Sequence, residues 1–404
     1  MKADIAIVGG GIIGSAAAFF LTRAGNAGTV CVIEPDPTYA RATTPQGAGG
    51  VRQQFSLPEN IAQSRDSLDF YKRFEDELAG TPDLPGIAFR QQGYLLLVGD
   101  EGARILEANA EAQAAKGVQA ELLDAAELRR RFPAIDRADI AAGCFTPEDG
   151  WLAPEAALQG FRRAAIHRGA RYIKARVTAM ETDAHTRTVR ALTLNSGERL
   201  ETGFVINTAG PWASEIAAMT GASLPVVPMC RVQHFWHSPE PPELGGPGSP
   251  TALAALPLIK DESGLFFRPE GQGFAGGRPS FDIEPGFVDD IHRGFFASYF
   301  EDTVWPMLAA LVPAFERLRL ERSWAGHYAQ NILDGNLIIG RYSKGHDNLI
   351  TACGFSGHGI MHAPAVGRAL AERALTGRDQ SLDLSRLEFD RVLRNEPLAE
   401  SGIK

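Results

Sequence analysis

Gly9, Gly11 and Gly14, followed by Glu34, combine residue type and spacing that can do recognisable chemistry. The glycines read G-x-G-x-x-G after a short apolar run, Asp4 to Val8. Gly9 permits a sharp turn, Gly11 lets the backbone approach a pyrophosphate, and Gly14 lets the next helix lie close on a sheet. A helix opening there directs free N–H groups and its positive dipole end at phosphate oxygens. Glu34 ends the next apolar run, at roughly the twenty-residue spacing of a carboxylate that accepts hydrogen bonds from a ribose. Among the cations, Arg52 follows Gly49 and Gly50 and can clamp a carboxylate through its bidentate fork. Its structural alternative is a pairing with a helix end or a phosphate. Arg268 and Arg278 are rival anchors, or solvated edge charges.

His358 sits in a Gly-His-Gly turn, where it can move protons or only orient the turn. His327 and Tyr328 are expected to begin a loop near the chemistry. His234 and Trp236 can face either a pocket or the core, and His362 reads as a helix residue. The nine histidines show no HxH or HExxH spacing, so no metal is expected. There is no Ser/His/Asp set and no carboxylate pair, which points to chemistry carried by a cofactor.

The elements that must position these residues follow from periodicity. Asp4–Val8, a glycine turn, a helix closed by Gly25, and the strand Thr29–Ile33 form a βαβ opening. A loop over 35–55 precedes a helix from Pro58 to about Leu78. Strands are expected over 87–97 and helices over 101–116 and 154–167, with Asp124 and Glu127 a capping box for another. Tyr172–Thr182 and Thr188–Asn195 read as a hairpin, and Phe204–Thr208 as a buried strand running into a turn at Gly210. Residues 225–280 alternate like antiparallel strands, interrupted by SPEPPELGGPGSP, a mobile surface loop by composition. Two helical stretches over 287–316, strands at 335–340 and 348–353, a glycine turn and a helix from about Ala363 to Leu375 close the chain.

The order predicts an α/β fold. A Rossmann-type domain is assembled from residues 1–85, 145–224 and 323–404. A substrate domain of mixed, largely antiparallel sheet flanked by helices is inserted as 86–144 and 225–322. A nicotinamide dehydrogenase more often builds its nucleotide domain from one continuous stretch, so the split favours FAD.

With 404 residues, 44% hydrophobic and 22% charged, the chain can bury a large core in two or three domains. A net charge of -9 argues against nucleic acid or an anionic membrane as partner. No run reaches membrane-span length, and the glycines break the opening run too soon for a signal peptide. The four cysteines are scattered without CxxC spacing, and Cys31 and Cys353, in apolar strand-like runs, read as core thiols of a reducing compartment, so a cytoplasmic location is expected.

Beyond these readings, the chain resembles the D-amino-acid oxidase superfamily, in its glycine oxidase, sarcosine oxidase and dimethylglycine dehydrogenase branch. The likeness rests on IAIVGGGIIGSAAAFFL, GAGGVRQQFSLPENI, FVINTAGPWA, WAGHYAQNILDGNLIIG and ITACGFSGHGIMHAPAVGRALAE, spread over nearly the whole length. The RQQFSLPENI stretch also looks like mitochondrial "FAD-dependent oxidoreductase domain" relatives. The resemblance implies that Gly9, Gly11, Ile12, Ile13 and Gly14 hold the FAD pyrophosphate, and Glu34 and Pro35 the adenosine end. Arg41, Thr43, Thr44, Ala48 and Gly49 would line the path to the flavin, and Val177 would meet the adenine. Ala209, Gly210 and Trp212 would close a second turn on the cofactor. Gly326 and Gly357–Ile360 would approach the flavin, His358 being the catalytic candidate. Arg52, His234, Arg268, Arg278, His327, Tyr328 and Met361 are the substrate-side candidates.

Three departures stand out. The position that binds flavin covalently in sarcosine oxidases is His327 here, so non-covalent FAD is expected. The family's oxygen-activating lysine falls at Ala275 and its carboxylate-holding lysine at Met361, which leaves oxygen or an electron-transfer partner open as acceptor. The expected function is oxidation of the C–N bond of a small carboxylate-bearing amine, such as glycine, sarcosine, dimethylglycine or an iminodiacetate-like acid. Hydride would pass to flavin N5, and the imine would hydrolyse. A 2-hydroxy-acid dehydrogenase on the same fold and a flavin-binding assembly protein remain the alternatives.

Overall fold

The computed structural model describes residues 1–183, 185–238, 253–279, 283–288, 293–342 and 345–403. The SPEPPELGGPGSP segment lies outside these from Pro239 onward.

The opening βαβ unit forms where the glycines and apolar runs place it. Lys2–Val8 and Val30–Glu34 are parallel neighbours, and helix Ile12–Ala24 joins them. Gly25 ends that helix in the left-handed region, with φ 77°. Ser15-Ala16-Ala17-Ala18 keep the helix slim, so it is buried between helices Pro154–His167 and Gly359–Thr376. Gly14 explains the close approach to the sheet turn: a Cβ there would lie 2.0 Å from the Gly9 carbonyl oxygen.

The first sheet orders five parallel strands as Arg171–Lys174, Val30–Glu34, Lys2–Val8, Arg199–Asn207 and Leu349–Cys353, with Ile338–Arg341 antiparallel at the edge. The order reverses at Lys2–Val8, which opens a crevice at the carboxyl ends of that strand and Arg199–Asn207, the usual ligand position in such sheets. The hairpin Val177–Asp183/Thr188–Leu194 branches from Arg199–Asn207.

The second sheet has eight strands: Arg319–Asn331, Val226–His237, Gly273–Gly277, Phe266–Glu270, Leu258–Asp261, Tyr94–Val98, Ala142–Thr146 and Glu121–Asp124. All pairs are antiparallel except Leu258–Asp261 with Tyr94–Val98. One face carries Trp236, Phe267 and Phe274, which bury Phe300, Leu308 and Phe315 of the helical stretch after residue 293. The other face turns Gln233, Tyr94, Leu258, Lys260 and Phe266 towards the crevice of the first sheet.

Several expected elements change. The helix from Pro58 breaks at Arg73, giving Pro58–Lys72 and Phe74–Glu77. The expected strand Tyr172–Thr182 is two: Arg171–Lys174 joins the parallel sheet and Val177–Asp183 the hairpin. His327 and Tyr328 do not begin a loop but lie inside the thirteen-residue strand Arg319–Asn331 of the second sheet. The last long helix starts at Gly359, four residues before Ala363, so Met361 and His362 are helical. Asp124 caps Ala125–Arg131 by accepting from the Glu127 N–H at 2.8 Å, while the Glu127 carboxylate pairs with Arg130, so the Asp124 half of the expected capping box is the half that forms.

Candidate active site

A cavity of about 1140 Å³ runs from Glu34 and Val177 to the start of helix Gly359–Thr376. Its first end is built by the glycine turn. Gly9 adopts φ 100°, and a Cβ there would sit 2.6 Å from the Thr208 carbonyl oxygen, so no larger residue fits. Gly11 differs, since a Cβ would meet nothing nearer than Thr44 Oγ1 at 4.0 Å and would project into the cavity. The N–H of Ile12 donates to Thr44 Oγ1 at 3.4 Å. Glu34 accepts from the N–H groups of Gly10 (2.8 Å) and Asp36 (3.0 Å). Burial nevertheless raises its pKa above the usual carboxylate value. A carboxylate beside the cavity, an open glycine turn and a free helix N-terminus fit the ribose and pyrophosphate of FAD.

Pro35, Ile12, Ile13 and Val177 line this end of the cavity. Arg41, Thr43, Thr44, Ala48 and Gly49 line its middle, with Thr43 Oγ1 donating to the His327 carbonyl at 2.6 Å. Ala209, Gly210 and Trp212 line it from the second turn, Trp212 stacking on Phe287 at 4.7 Å. At the far end are Gly357, His358, Gly359, Ile360 and Met361. His358 is the residue before the helix, and its ring meets Phe55 edge-on at 5.2 Å. The first N–H groups of the eighteen-residue helix Gly359–Thr376 therefore open on the cavity.

The substrate-side candidates separate. Arg52 is 2% exposed and lines the cavity, its guanidinium 4.6 Å from the Phe55 ring centre and 5.8 Å from that of Tyr94. Its Nη1 donates to the Gln54 carbonyl at 2.6 Å. Tyr328 also lines the cavity and accepts from Arg231 Nε at 2.7 Å. His234 instead points to the opposite sheet face, packed on Phe300 and bonded to Ser323 Oγ at 2.8 Å. Burial lowers its pKa to about 4. The strict alternation of the strand decides this: Gln233 faces the cavity, so His234 faces the core.

His327 has its ring beside Phe287 and its Nε2 accepts from the Val288 N–H at 2.9 Å; it does not line the cavity. Arg268 is held by Glu270, the Ala48 carbonyl at 2.8 Å and the Trp151 ring, around a smaller cavity that Ala275 also lines. Arg278 donates to the Ser263 carbonyl at 3.2 Å, and neither arginine lines the main cavity. Gly326 packs on Gln46, and Gly14 serves helix packing.

Lys260, Tyr94, Leu258, Phe266, Arg231 and Gln233 complete the compartment. None was singled out from the sequence. A lysine interrupting the apolar run Leu256–Ile259 was the available signal for Lys260. Burial, with the nearby Arg52 charge, lowers its pKa to about 7.

The family profile described as FAD dependent oxidoreductase, DAO, matches residues 4–373. "FAD-dependent oxidoreductase domain-containing protein 1" of Xenopus laevis is 37% identical over the whole chain and 85% of its own length. Monomeric sarcosine oxidase of Bacillus sp. (strain B-0618) is 25% identical, with 99% of each chain covered. Among solved structures, L-proline dehydrogenase from P. horikoshii superposes with a TM-score of 0.84 at 27% identity, covering 98% of this chain and 99% of that one. The chain belongs to the DAO family of FAD-dependent oxidoreductases.

Proposed function

We propose that the protein oxidises the C–N bond of a small amino acid or N-substituted glycine. The observation that carries this reading is Arg52: a buried guanidinium lines the cofactor cavity, set against the Phe55 and Tyr94 rings. A desolvated arginine of that kind suits a carboxylate, which it can bind through two parallel hydrogen bonds. Tyr94, Leu258, Phe266 and Met361 supply apolar wall that excludes water and favours the neutral form of the amine beside it. Bound FAD supplies the two-electron acceptor. The N–H groups opening helix Gly359–Thr376 would hold the pyrimidine edge of the flavin, and the positive end of the helix favours negative charge there. His358 and Tyr328 would shape the compartment between these groups, and His327, off the cavity, leaves the cofactor non-covalent.

The test is anaerobic incubation of the yellow holoenzyme with sarcosine, dimethylglycine, glycine, proline, iminodiacetate and the matching 2-hydroxy acids. Bleaching by amines alone supports the proposal. Bleaching by hydroxy acids and by no amine refutes it.

A further inference from the structure

We propose that Ile403 closes the substrate end of the cavity and sets the length of substrate that fits, an inference that rests on the carboxylate-bearing substrate proposed above. Residues 398–402 hold it there as a strap. The Leu398 N–H donates to Asp334 at 2.7 Å, and the Leu398 carbonyl accepts from Asn336 Nδ2 at 3.1 Å. Asp334 and Asn336 belong to the turn between strands Arg319–Asn331 and Ile338–Arg341. Glu400 accepts from the Ser56 N–H and hydroxyl, each at 2.5 Å, and from Asn60 Nδ2 at 2.6 Å. The Ser401 N–H donates to Ser56 Oγ at 2.9 Å. Its hydroxyl donates to Asn109 Oδ1 at 3.1 Å, and its carbonyl accepts from Asn109 Nδ2 at 3.0 Å. The strap is thus gripped by that turn, by the entry to helix Pro58–Lys72 and by helix Asp100–Ala115.

Gly402 then turns the chain inward. Its φ is 81°, and a Cβ there would lie 3.1 Å from Asn109 Nδ2 and 3.2 Å from Ile105 Cγ2, so the backbone runs tight against helix Asp100–Ala115. Ile403 follows, packed on the apolar cluster that holds Tyr94, Leu96, Leu106, Ala110 and Leu258, and it lines the cavity as Tyr94 and Leu258 do.

Tyr94 and Leu258 are paired on neighbouring strands, and the Gly50–Arg52 segment crosses over them. A Cβ on Gly50 would lie 2.9 Å from Leu258 Cδ1 and 3.4 Å from Tyr94 Cε2, and the Arg52 guanidinium lies 5.8 Å from the Tyr94 ring centre. One apolar pair is therefore bordered by the carboxylate anchor and by Ile403. A substrate whose carboxylate rests on Arg52 lays its carbon chain along Tyr94 and Leu258, and Ile403 is where that chain must stop. A side chain that only covered the cluster would influence stability and leave ligand length alone.

The probes are acetate, propionate, butyrate, pentanoate and hexanoate, bound to the FAD-loaded enzyme and followed by the flavin spectrum. Affinity should rise about fourfold for each methylene buried, reach a maximum when the chain meets Ile403, and then fall. Ile403→Ala leaves only a methyl at that wall and should move the maximum to acids longer by about two or three carbons. Ile403→Phe should move it to shorter acids. Both variants should bind FAD as wild type does, which separates a change of fit from a loss of folding. Glu400→Ala frees the strap without altering the wall residue, and should blunt the maximum. No maximum in wild type, or the same maximum in wild type and both Ile403 variants, overturns the proposal. Either result leaves the amine chemistry standing if the substrate panel still bleaches the flavin. Failure of wild type to bind any of the acids overturns it together with the amino-acid reading.

Discussion

Gly11 and Gly14 share one motif yet should fail in opposite ways when each is replaced by alanine. A methyl at Gly14 would sit 2.0 Å from the Gly9 carbonyl oxygen and 2.7 Å from Thr208 Oγ1. The first is backbone and cannot swing away, so overpacking of about 1–3 kcal/mol outweighs the 0.5–1 kcal/mol that alanine gains in a helix. At about 2.1 cal/mol/K per residue, unfolding a chain of 404 residues carries an entropy of roughly 0.85 kcal/mol/K. Gly14→Ala should therefore lower the melting temperature by a few degrees at most, with or without FAD. Gly11→Ala meets only Thr44 Oγ1, at an ordinary contact distance of 4.0 Å, and should leave the apoprotein unchanged. Its methyl occupies the space the pyrophosphate needs, and a 100-fold loss of FAD affinity is expected. With FAD at 1,000 times the wild-type Kd, linkage stabilises wild type by about 4.1 kcal/mol, roughly 5 °C, and Gly11→Ala by about 1.4 kcal/mol, under 2 °C. Differential scanning fluorimetry of the two apoproteins with and without FAD reads all four numbers. Equal FAD stabilisation of Gly11→Ala and wild type would refute the placement of the pyrophosphate over Gly11.

Acid precipitation of the holoenzyme should leave the flavin in the supernatant, because the His327 ring is turned to Val288 away from the cavity; yellow pelleted protein would contradict this. Asp149 is fully buried, and burial raises its pKa to about 6, above the ordinary 3.8. The folded state then holds a proton that the unfolded state has lost between about pH 4 and 6, so stability falls as pH rises through that window, by up to about 3 kcal/mol. Asp149→Asn should abolish that fall, as denaturant titrations at pH 4 and 7 would show. Asp334 is fully buried against Arg391 and also accepts from the Leu398 N–H at 2.7 Å. Asp334→Ala should cost about 3–5 kcal/mol by stranding the guanidinium, measurable as a drop in denaturant midpoint. Glu400 anchors the chain entering helix Pro58–Lys72 by accepting from Ser56 N (2.5 Å), Leu57 N (3.3 Å) and Asn60 Nδ2 (2.6 Å). Glu400→Ala should lose about 1–3 kcal/mol by leaving these donors without their acceptor, and speed proteolysis after residue 394.

Elements whose cause is local were legible in the sequence. The glycine turn, the Gly25 stop, the Asp124 cap and the buried parallel strands depend on neighbours within one or two turns of chain, and those neighbours are visible in the sequence. The side of a strand that a residue faces is a different matter. His234 and Gln233 are adjacent, equally polar, and separated only by register, so the sequence left the pocket and the core equally open to His234. Register came from the antiparallel pairing with Gly273–Gly277 and Arg319–Asn331, one about 40 and the other about 90 residues away. Arg319–Asn331 itself was misread as partly loop because Ser323-Trp324-Ala325-Gly326 shows no clean alternation.

The cavity also bears on the net charge of -9. A protein so acidic repels an anionic substrate at long range, yet beyond about 8–10 Å that repulsion is screened at physiological salt. Inside the cavity screening is weak, and a cation there acts through a lower dielectric. Arg52, Lys260 and Arg231 all line it, whereas the nearest acids of the substrate wall, Asp261 and Glu262, are held by their own partners. Selection for an anion therefore needs no basic surface. It needs a few cations placed where water is excluded. Raising the salt concentration should on this account leave substrate affinity nearly unchanged once binding is corrected for pH. A steep salt dependence would place the recognition on the surface instead, and would remove Arg52 as the anchor.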